Sequence, residues 1–219
     1  MAGGLGTRLR SVDSERPKPM VDVLDKPFLH WLILSLQRVG FDHIVFSIGY
    51  KAAYVQNYSW SKLFPNLKFE FLKEEVPLGT GGAVRNVFSI QKKLNSAWVI
   101  NGDTLLENPS PPFRPSDDDV LYTALNPREV YDAQSNLVAS GKRVVEVREG
   151  AGTIFDGGQV FVTRHAVESY GGVIPCSFHQ LVERSFKEGR VGFIETPGTC
   201  FDIGTPERLK RFENYLKKS

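Results

Sequence analysis

Between residues 27 and 101 the chain alternates between two hydrophobic periods, and this alternation restricts the fold more than any other property of the sequence. Phe28, Trp31, Leu32, Leu36 and Val39 recur at helical spacing. Pro27 suits a first helical turn and Gly40 a stop, so the spacing predicts a helix over 27–39. Residues 43–48 are apolar and β-branched and read as a strand. The same reading predicts a helix over 51–64, a strand over 67–72, a helix over 80–94 opening after Gly79, and a strand over 97–101 that delivers Asp103. The order β-α-β-α implies an α/β, Rossmann-like, mostly parallel sheet flanked by helices. Ligands of such sheets bind beyond the carboxyl ends of the strands, where the turns at 3–8 and 79–82 and Asp103 are expected.

The second half continues less regularly. Residues 107–119 are proline-rich and acidic and read as a surface loop. A hairpin is expected over 136–140 and 143–147, turning at Ser140-Gly141-Lys142, then strands over 158–163 and 191–195 and helices over 177–187 and 206–217. No repeat or linker divides the 219 residues, a length that suits one domain. The formal net charge of +2 offers no broad attraction to nucleic acid or to an anionic membrane. The longest apolar run, 28–36, is too short to cross a bilayer, and no signal peptide precedes the glycines. Cys176 and Cys200 are too few for a disulfide framework, which implies reduced thiols in a cytoplasmic protein.

Chemistry concentrates near the start, in Gly3-Gly4-Leu5-Gly6-Thr7-Arg8-Leu9 and Arg16-Pro17-Lys18-Pro19-Met20. A glycine-rich turn lets backbone N–H groups approach phosphate oxygens, and an arginine after it can clamp a phosphate with its planar fork. Pro17 and Pro19 are expected to hold Lys18 on a stiff extended segment. The spacing is neither the dinucleotide G-x-G-x-x-G nor the P-loop. On the glycines alone, a tight strand-to-helix turn with a solvated arginine remains an equal reading.

The combination resembles the N-terminal signature of the sugar-1-phosphate nucleotidyltransferases. The resemblance continues through Lys26-Pro27-Phe28, Glu74 to Ala83, Asn101-Gly102-Asp103 and Phe201-Asp202-Ile203-Gly204-Thr205-Pro206-Glu207, nearly the whole chain. The blocks at 78–83 and 201–206 are most similar to the short guanylyltransferases that act on D-glycero-D-manno-heptose 1-phosphate. Relatives begin with an apolar strand before Ala-Gly-Gly, whereas Met1 stands immediately before Ala2, so the first strand is expected to be very short or clipped.

The resemblance implies a nucleotidyltransferase fold with a small β-hairpin sugar-binding region. It implies a nucleotide-binding half over about 1–104 and a sugar-phosphate-binding half over about 120–219 of one domain. It also implies transfer of a nucleotidyl group from an NTP, GTP by preference, to a sugar 1-phosphate. A mannose- or glucose-1-phosphate enzyme and a silent nucleotide-sugar-binding paralogue are the alternatives. Arg8 and Lys18 would be catalytic, Arg8 on the departing pyrophosphate and Lys18 between the α-phosphate and the attacking sugar phosphate. Ala2, Gly3, Gly4, Gly6, Thr7, Glu74, Gly79, Thr80 and Gly82 would bind the nucleotide, with the glycines at 79, 81 and 82 giving base and ribose a bare backbone. Asn101, Gly102, Glu149, Asp156, Gly157 and Gly158 would bind the sugar. Asp103 and Asp202 would hold Mg2+, a hard cation that takes one or two carboxylates plus phosphate oxygens. A homodimer is compatible with all of this.

Glu74 carries the expectation for the base. A carboxylate only accepts hydrogen bonds and so suits guanine, which presents N1–H and N2–H₂ together. The bland alternative is a solvated acid in Lys73-Glu74-Glu75. Arg148-Glu149-Gly150 stands where relatives carry Glu-Lys, so the sugar pocket departs from the family pattern. His30, His43, His165 and His179 lack metal-ligand spacing and read as surface or capping residues, while Trp31, Trp60 and Trp98 read as core.

Overall fold

The computed structural model describes residues 15–112, 117–126, 135–148 and 150–218. Ala2, Gly3, Gly4, Gly6, Thr7, Arg8 and Glu149 therefore lie outside the described residues. Lys18–Met20 form a single 3-10 turn, followed by a tight hairpin of β1 (Asp22–Val23) and β2 (Lys26–Pro27). Helix α1 (Phe28–Arg38) buries Phe28, Leu29, Leu32, Ile33 and Leu36, and Gly40 follows it at φ 99°. Strand β3 (His43–Ile48) has the predicted bounds. The helix expected over 51–64 is instead two short ones, α2 (Ala52–Gln56) and α3 (Trp60–Leu63). Asn57, Tyr58 and Ser59 between them are weak helix formers, and Tyr58 packs its ring 4.5 Å from that of Trp60. Strand β4 (Lys68–Lys73) then runs parallel to β3.

Helix α4 (Gly79–Ile90) ends before Leu94, and β5 (Ser96–Ile100), β6 (Thr104–Leu106) and β7 (Val120–Leu125) follow. The predicted hairpin is present as β8 (Leu137–Ser140) and β9 (Arg143–Val147), with Gly141 at φ 58° in its turn. After β10 (Phe155–Thr163) and α5 (Arg164–Glu168), the helix expected over 177–187 breaks at Val182 into α6 (Phe178–Leu181) and α7 (Glu183–Lys187). Strand β11 (Val191–Glu195), strand β12 (Cys200–Asp202) and helix α8 (Pro206–Leu216) complete the order.

Two compact units result, neither continuous in sequence. One gathers the described residues up to Val76 with Asn101–Pro111 and those from Phe201 onward. Its core joins α1 to α8 through Phe28 and Phe212, whose rings meet edge to face at 5.1 Å, and includes the buried aromatic group of Phe46, Trp60 and Phe64. His30 belongs to this core at 6% exposure, contrary to the surface role expected, and its Nδ1 lies 3.1 Å from the Tyr58 hydroxyl. Trp60 is core as expected, whereas Trp31 is half-buried with its indole N–H on the Val23 carbonyl.

The other unit comprises Pro77–Ile100 and Pro112–Cys200, built on a six-stranded sheet in the order β5-β10-β7-β11-β9-β8. The chain is α/β, but this sheet is mixed rather than mostly parallel. Among the described residues only β7 and β11 run parallel in it, while β10 lies antiparallel to both β5 and β7. An apolar strand reads the same in either direction, so the hydrophobic pattern carries no information on direction; the short returns around the hairpin allow antiparallel neighbours. Both cysteines are buried, and neither forms a disulfide. Asp119, placed by the sequence reading at the end of a surface loop, is 2% exposed and paired with Arg190 at 2.7 Å. Among the described residues no helix is long and apolar enough to cross a membrane.

Candidate active site

Pro17 enters in an extended conformation, φ −68° and ψ 147°, and the chain then closes the turn at Lys18–Met20. Met20 N–H donates to the Pro17 carbonyl at 2.8 Å, and Val21 N–H to that of Lys18 at 3.2 Å. The extended presentation expected for Lys18 is thus replaced by a turn. Pro19 sits where a helical N–H has no partner, so its missing donor forfeits nothing. The turn carries the Lys18 side chain inward, to 16% exposure, where its ammonium donates to Asp103 Oδ2 at 2.7 Å and stands 4.0 Å from Asp202 Oδ1.

The two carboxylates meet because their strands do. Asp103 precedes β6, Asp202 ends β12, and these strands pair; the Ile203 N–H donates to the Asp103 carbonyl at 3.2 Å. Asp202 is held from the other side by the Gly204 N–H on Oδ1 and by Arg208 Nη1 on Oδ2 at 3.3 Å. A Cβ on Gly204 would stand 2.7 Å from Asp202 Oδ1 and displace that carboxylate from its place. Thr205 caps α8 by accepting from Arg208 N–H, which leaves Asp202 free of the capping duty. Sequence reasoning missed Arg208; its place in the first turn of a helix that opens just after Asp202 was the available signal. Asn101 is exposed and Gly102 buried in the turn that leads to Asp103, with Thr104 N–H on the Asn101 carbonyl at 3.4 Å.

Glu74 follows β4 directly. Its N–H extends the ladder to the Ile48 carbonyl at 2.8 Å, and its Oε1 accepts from the Ser47 hydroxyl at 2.8 Å. Glu74 is half-buried; the solvated acid of this run is Glu75, 79% exposed and paired with Lys73 at 3.2 Å.

In the other unit, Gly79 and Gly81 are required for a reason the sequence reading did not supply. Gly81 and Gly82 N–H groups donate to the Cys176 carbonyl at 2.9 and 3.4 Å, and Phe178 N–H donates to Thr80 Oγ1 at 2.8 Å. A Cβ on Gly79, which sits at φ 72°, would lie 2.4 Å from the Cys176 oxygen, and one on Gly81 would lie 2.3 Å from the Ser177 oxygen. The close approach at these two glycines is made by the chain itself. Gly82 faces the side chains of Ile174 and Leu78.

Asp156, Gly157 and Gly158 open β10 at a register shift against β7. Asn136 Oδ1 accepts from the Asp156 N–H at 2.9 Å, and Asp156 Oδ1 accepts from the Gly158 N–H at 2.8 Å, with Gly158 at φ 74°. Burial pushes the Asp156 carboxyl up to about 6, a rise that the Gly158 N–H partly offsets. Burial, and then the charge of Asp156, hold the Tyr122 phenol far above its usual range.

Two donor sets bear on a cation. Asp103 and Asp202 already share one positive group, and their hard oxygens, 36% and 39% exposed, fit a divalent ion that keeps most of its water. Asp119, His165 and Glu188 bring ligand atoms within 4.8 Å of one another, but the Arg190 guanidinium is already paired with the buried member.

Residues 1–114 match the family described as nucleotidyl transferase. The chain is 32% identical over 99% of its length to the D-glycero-alpha-D-manno-heptose 1-phosphate guanylyltransferase of Aneurinibacillus thermoaerophilus, of which it covers 96%. It is 27% identical over 97% of its length to the enzyme of the same name from Campylobacter jejuni, again covering 96%. The crystal structure of HddC from Yersinia pseudotuberculosis complexed with GMP-PN has a TM-score of 0.77 at 32% identity, with 98% of this chain and 96% of that one covered.

Proposed function

The chain belongs to the nucleotidyl transferase family, and from that premise we propose that it joins the guanylyl group of GTP to D-glycero-D-manno-heptose 1-phosphate, releasing pyrophosphate. The observation that carries the reading is the Lys18 ammonium facing Asp103 and Asp202 together. The likeness over nearly the whole length to heptose 1-phosphate guanylyltransferases directs it to this sugar and this nucleotide.

In the reaction an oxygen of the sugar phosphate attacks the α-phosphorus of GTP, and the bond from that phosphorus to the bridging oxygen breaks as pyrophosphate leaves. The nucleophile is already an anion, so the chain needs no strong base and works by positioning and charge. Lys18 draws the two mutually repelling anions together, with Arg8 assigned to the leaving pyrophosphate. Asp103 and Asp202 would hold Mg2+, which when bound neutralises phosphate charge in the transition state. Arg208 and the Gly204 N–H keep the Asp202 carboxylate aimed at Lys18. Glu74 is assigned to the N1–H and N2–H₂ edge of guanine. Asp156, steadied by Asn136, is assigned to sugar hydroxyls. The turn at Gly79, Thr80 and Gly82 is assigned to the nucleotide, and Asn101, Gly102, Gly157 and Gly158 to the sugar side. Both substrates are soluble metabolites and neither cysteine forms a disulfide, which suits the cytoplasm.

The test is pyrophosphate release from GTP, ATP, UTP and TTP with heptose, mannose and glucose 1-phosphates. The expected result is turnover with GTP and the heptose phosphate above every other pair. Faster turnover with mannose 1-phosphate overturns the sugar assignment, and no turnover with any pair overturns the reaction.

A further inference from the structure

We propose that Ser47 is a positioning residue for base selection: its hydroxyl fixes the carboxylate of Glu74 in the orientation that meets guanine. The inference rests on the reading of Glu74 as the residue that faces the base.

Ser47 is 5% exposed on β3, between Phe46 at 5% and Ile48 at 0%. A hydroxyl taken out of water in such a run costs stability unless it is hydrogen-bonded. The partner is Glu74 Oε1, at 2.8 Å. The backbone at both ends is already set: β3 and β4 pair Ser47 with Leu72 and Ile48 with Lys73, and the Glu74 N–H continues the ladder to the Ile48 carbonyl. Beyond that backbone bond lie the three side-chain torsions of Glu74, and the Ser47 hydroxyl is one restraint on them.

The chemistry of the pair suits the role. A carboxylate accepts on two oxygens with about four lone-pair directions, and one serine O–H occupies a single direction. That single bond does not by itself exhaust what a carboxylate can accept. A glutamate ordered in advance loses less freedom when the base arrives, so the hydroxyl contributes to nucleotide affinity and selection rather than to the bond-making step. The neighbouring acid, Glu75, makes an exposed pair with Lys73 and has no such restraint from β3 among its described contacts.

The experiment is steady-state kinetics of the full chain with GTP and ATP for Ser47→Ala, Ser47→Thr, Glu74→Ala and Ser47→Ala/Glu74→Ala, with melting temperatures alongside. Ser47→Ala is expected to raise KM for GTP about tenfold and to lower the GTP:ATP preference to match, with kcat at saturating GTP within about twofold. Ser47→Thr, which keeps the hydroxyl, is expected to restore the preference. Once Glu74 is alanine, removing the hydroxyl should change KM no further. An unchanged preference in Ser47→Ala, or the same KM increase with and without Glu74, overturns the role of Ser47. An unchanged preference in Glu74→Ala overturns the base reading itself, and the role of Ser47 with it.

Discussion

Lys18 donates a hydrogen bond to Asp103 across 2.7 Å, from a proline-braced turn to a strand-end carboxylate that lies far away in sequence. With Asp202 4.0 Å from the same ammonium and Arg208 on the far oxygen of Asp202, two cations meet two anions among the described residues. A metal ion and phosphates can enter such a cluster together, because the incoming opposite charges compensate each other.

Lys18→Ala removes the one cation that, among the described residues, faces both carboxylates. It is expected to lower kcat/KM at least about a hundredfold, roughly 2.7 kcal/mol of transition-state stabilisation. Asp103 and Asp202 are more than a third exposed, so the stability change should stay within about 1 kcal/mol. Steady-state kinetics and urea unfolding check the pair of outcomes; a loss below about threefold in kcat/KM makes Lys18 a structural residue.

Asp103→Asn and Asp202→Asn are expected to raise the Mg2+ concentration needed for half-maximal rate and to lower kcat by orders of magnitude with the fold intact. Each swap removes charge that a hard cation requires of its ligands. Rate against Mg2+ concentration measures this directly. Full turnover by Asp103→Asn in excess EDTA ends the assignment.

Residues 43–48 and 191–195 were legible to the residue, because short apolar β-branched runs bounded by polar turns admit few readings. Strand direction was not, since the pattern of β10 is the same read forwards or backwards. The break at 57–59 was hidden because the helical period continues through it while Tyr58 turns to pack on Trp60. Lys18 and Asp103 were both candidates from the sequence, but the hydrogen bond between them spans 85 residues, and Asp202 joins them through the pairing of β6 with β12, another long-range event. Ser47 bears no signature of its own, since it matters only for the carboxylate that tertiary structure sets beside it, whereas Arg208 was signalled only by its place in the turn just after Asp202.

Glu74→Gln should erode guanine selection without abolishing chemistry. A carboxylate set against the N1–H and N2–H₂ of guanine rejects pyrimidines, which would oppose acceptor to acceptor. The unmodified chain is expected to prefer GTP over UTP at least about tenfold in kcat/KM, from roughly 1.4 kcal/mol. Glu74→Gln, with an amide that both donates and accepts, should bring the ratio toward unity. Kinetics with four nucleoside triphosphates decide it, and equal use of GTP and UTP by the unmodified chain removes Glu74 from the base site.

Gly81→Ala sets a Cβ 2.3 Å from the Ser177 oxygen and 2.9 Å from Cys176 Sγ, backbone and buried sulfur that cannot move aside cheaply. A loss of about 2–4 kcal/mol is expected, the scale of overpacking and lost backbone hydrogen bonds. Gly171→Ala is the control: its Cβ meets nothing within 4 Å, and reduced freedom of the unfolded chain should leave stability unchanged or raise it by up to about 1 kcal/mol. Denaturant midpoints of the two variants separate packing from a general intolerance of substitution.

Asp156→Asn should be more stable than the unmodified chain at pH 7.5 yet weaker for the sugar phosphate. The folded protein raises the Asp156 carboxyl from 3.8 to about 6, so the native state holds this proton more tightly than the unfolded chain. Its contribution therefore favours folding below pH 3.8 and is lost as the pH rises through about 6. Asparagine keeps the Oδ1 that accepts from Gly158 and removes the half-buried charge, for an expected gain of roughly 1–2 kcal/mol. His30 works in the opposite sense: burial, and then the charge of Lys26, lower it from 6.5 to about 4, so its contribution is present above pH 6.5 and lost on acidification toward 4. Between these limits the two groups partly cancel in the unmodified chain. With Asp156 gone, His30 acts unopposed and stability should fall more steeply from pH 6.5 to 4; adding His30→Gln should flatten the profile again. Melting temperatures across this range, with KM for the sugar phosphate at pH 7.5, check both halves. A variant less stable than the parent at pH 7.5, or an unaltered acid slope, means that burial does not penalise the Asp156 carboxylate.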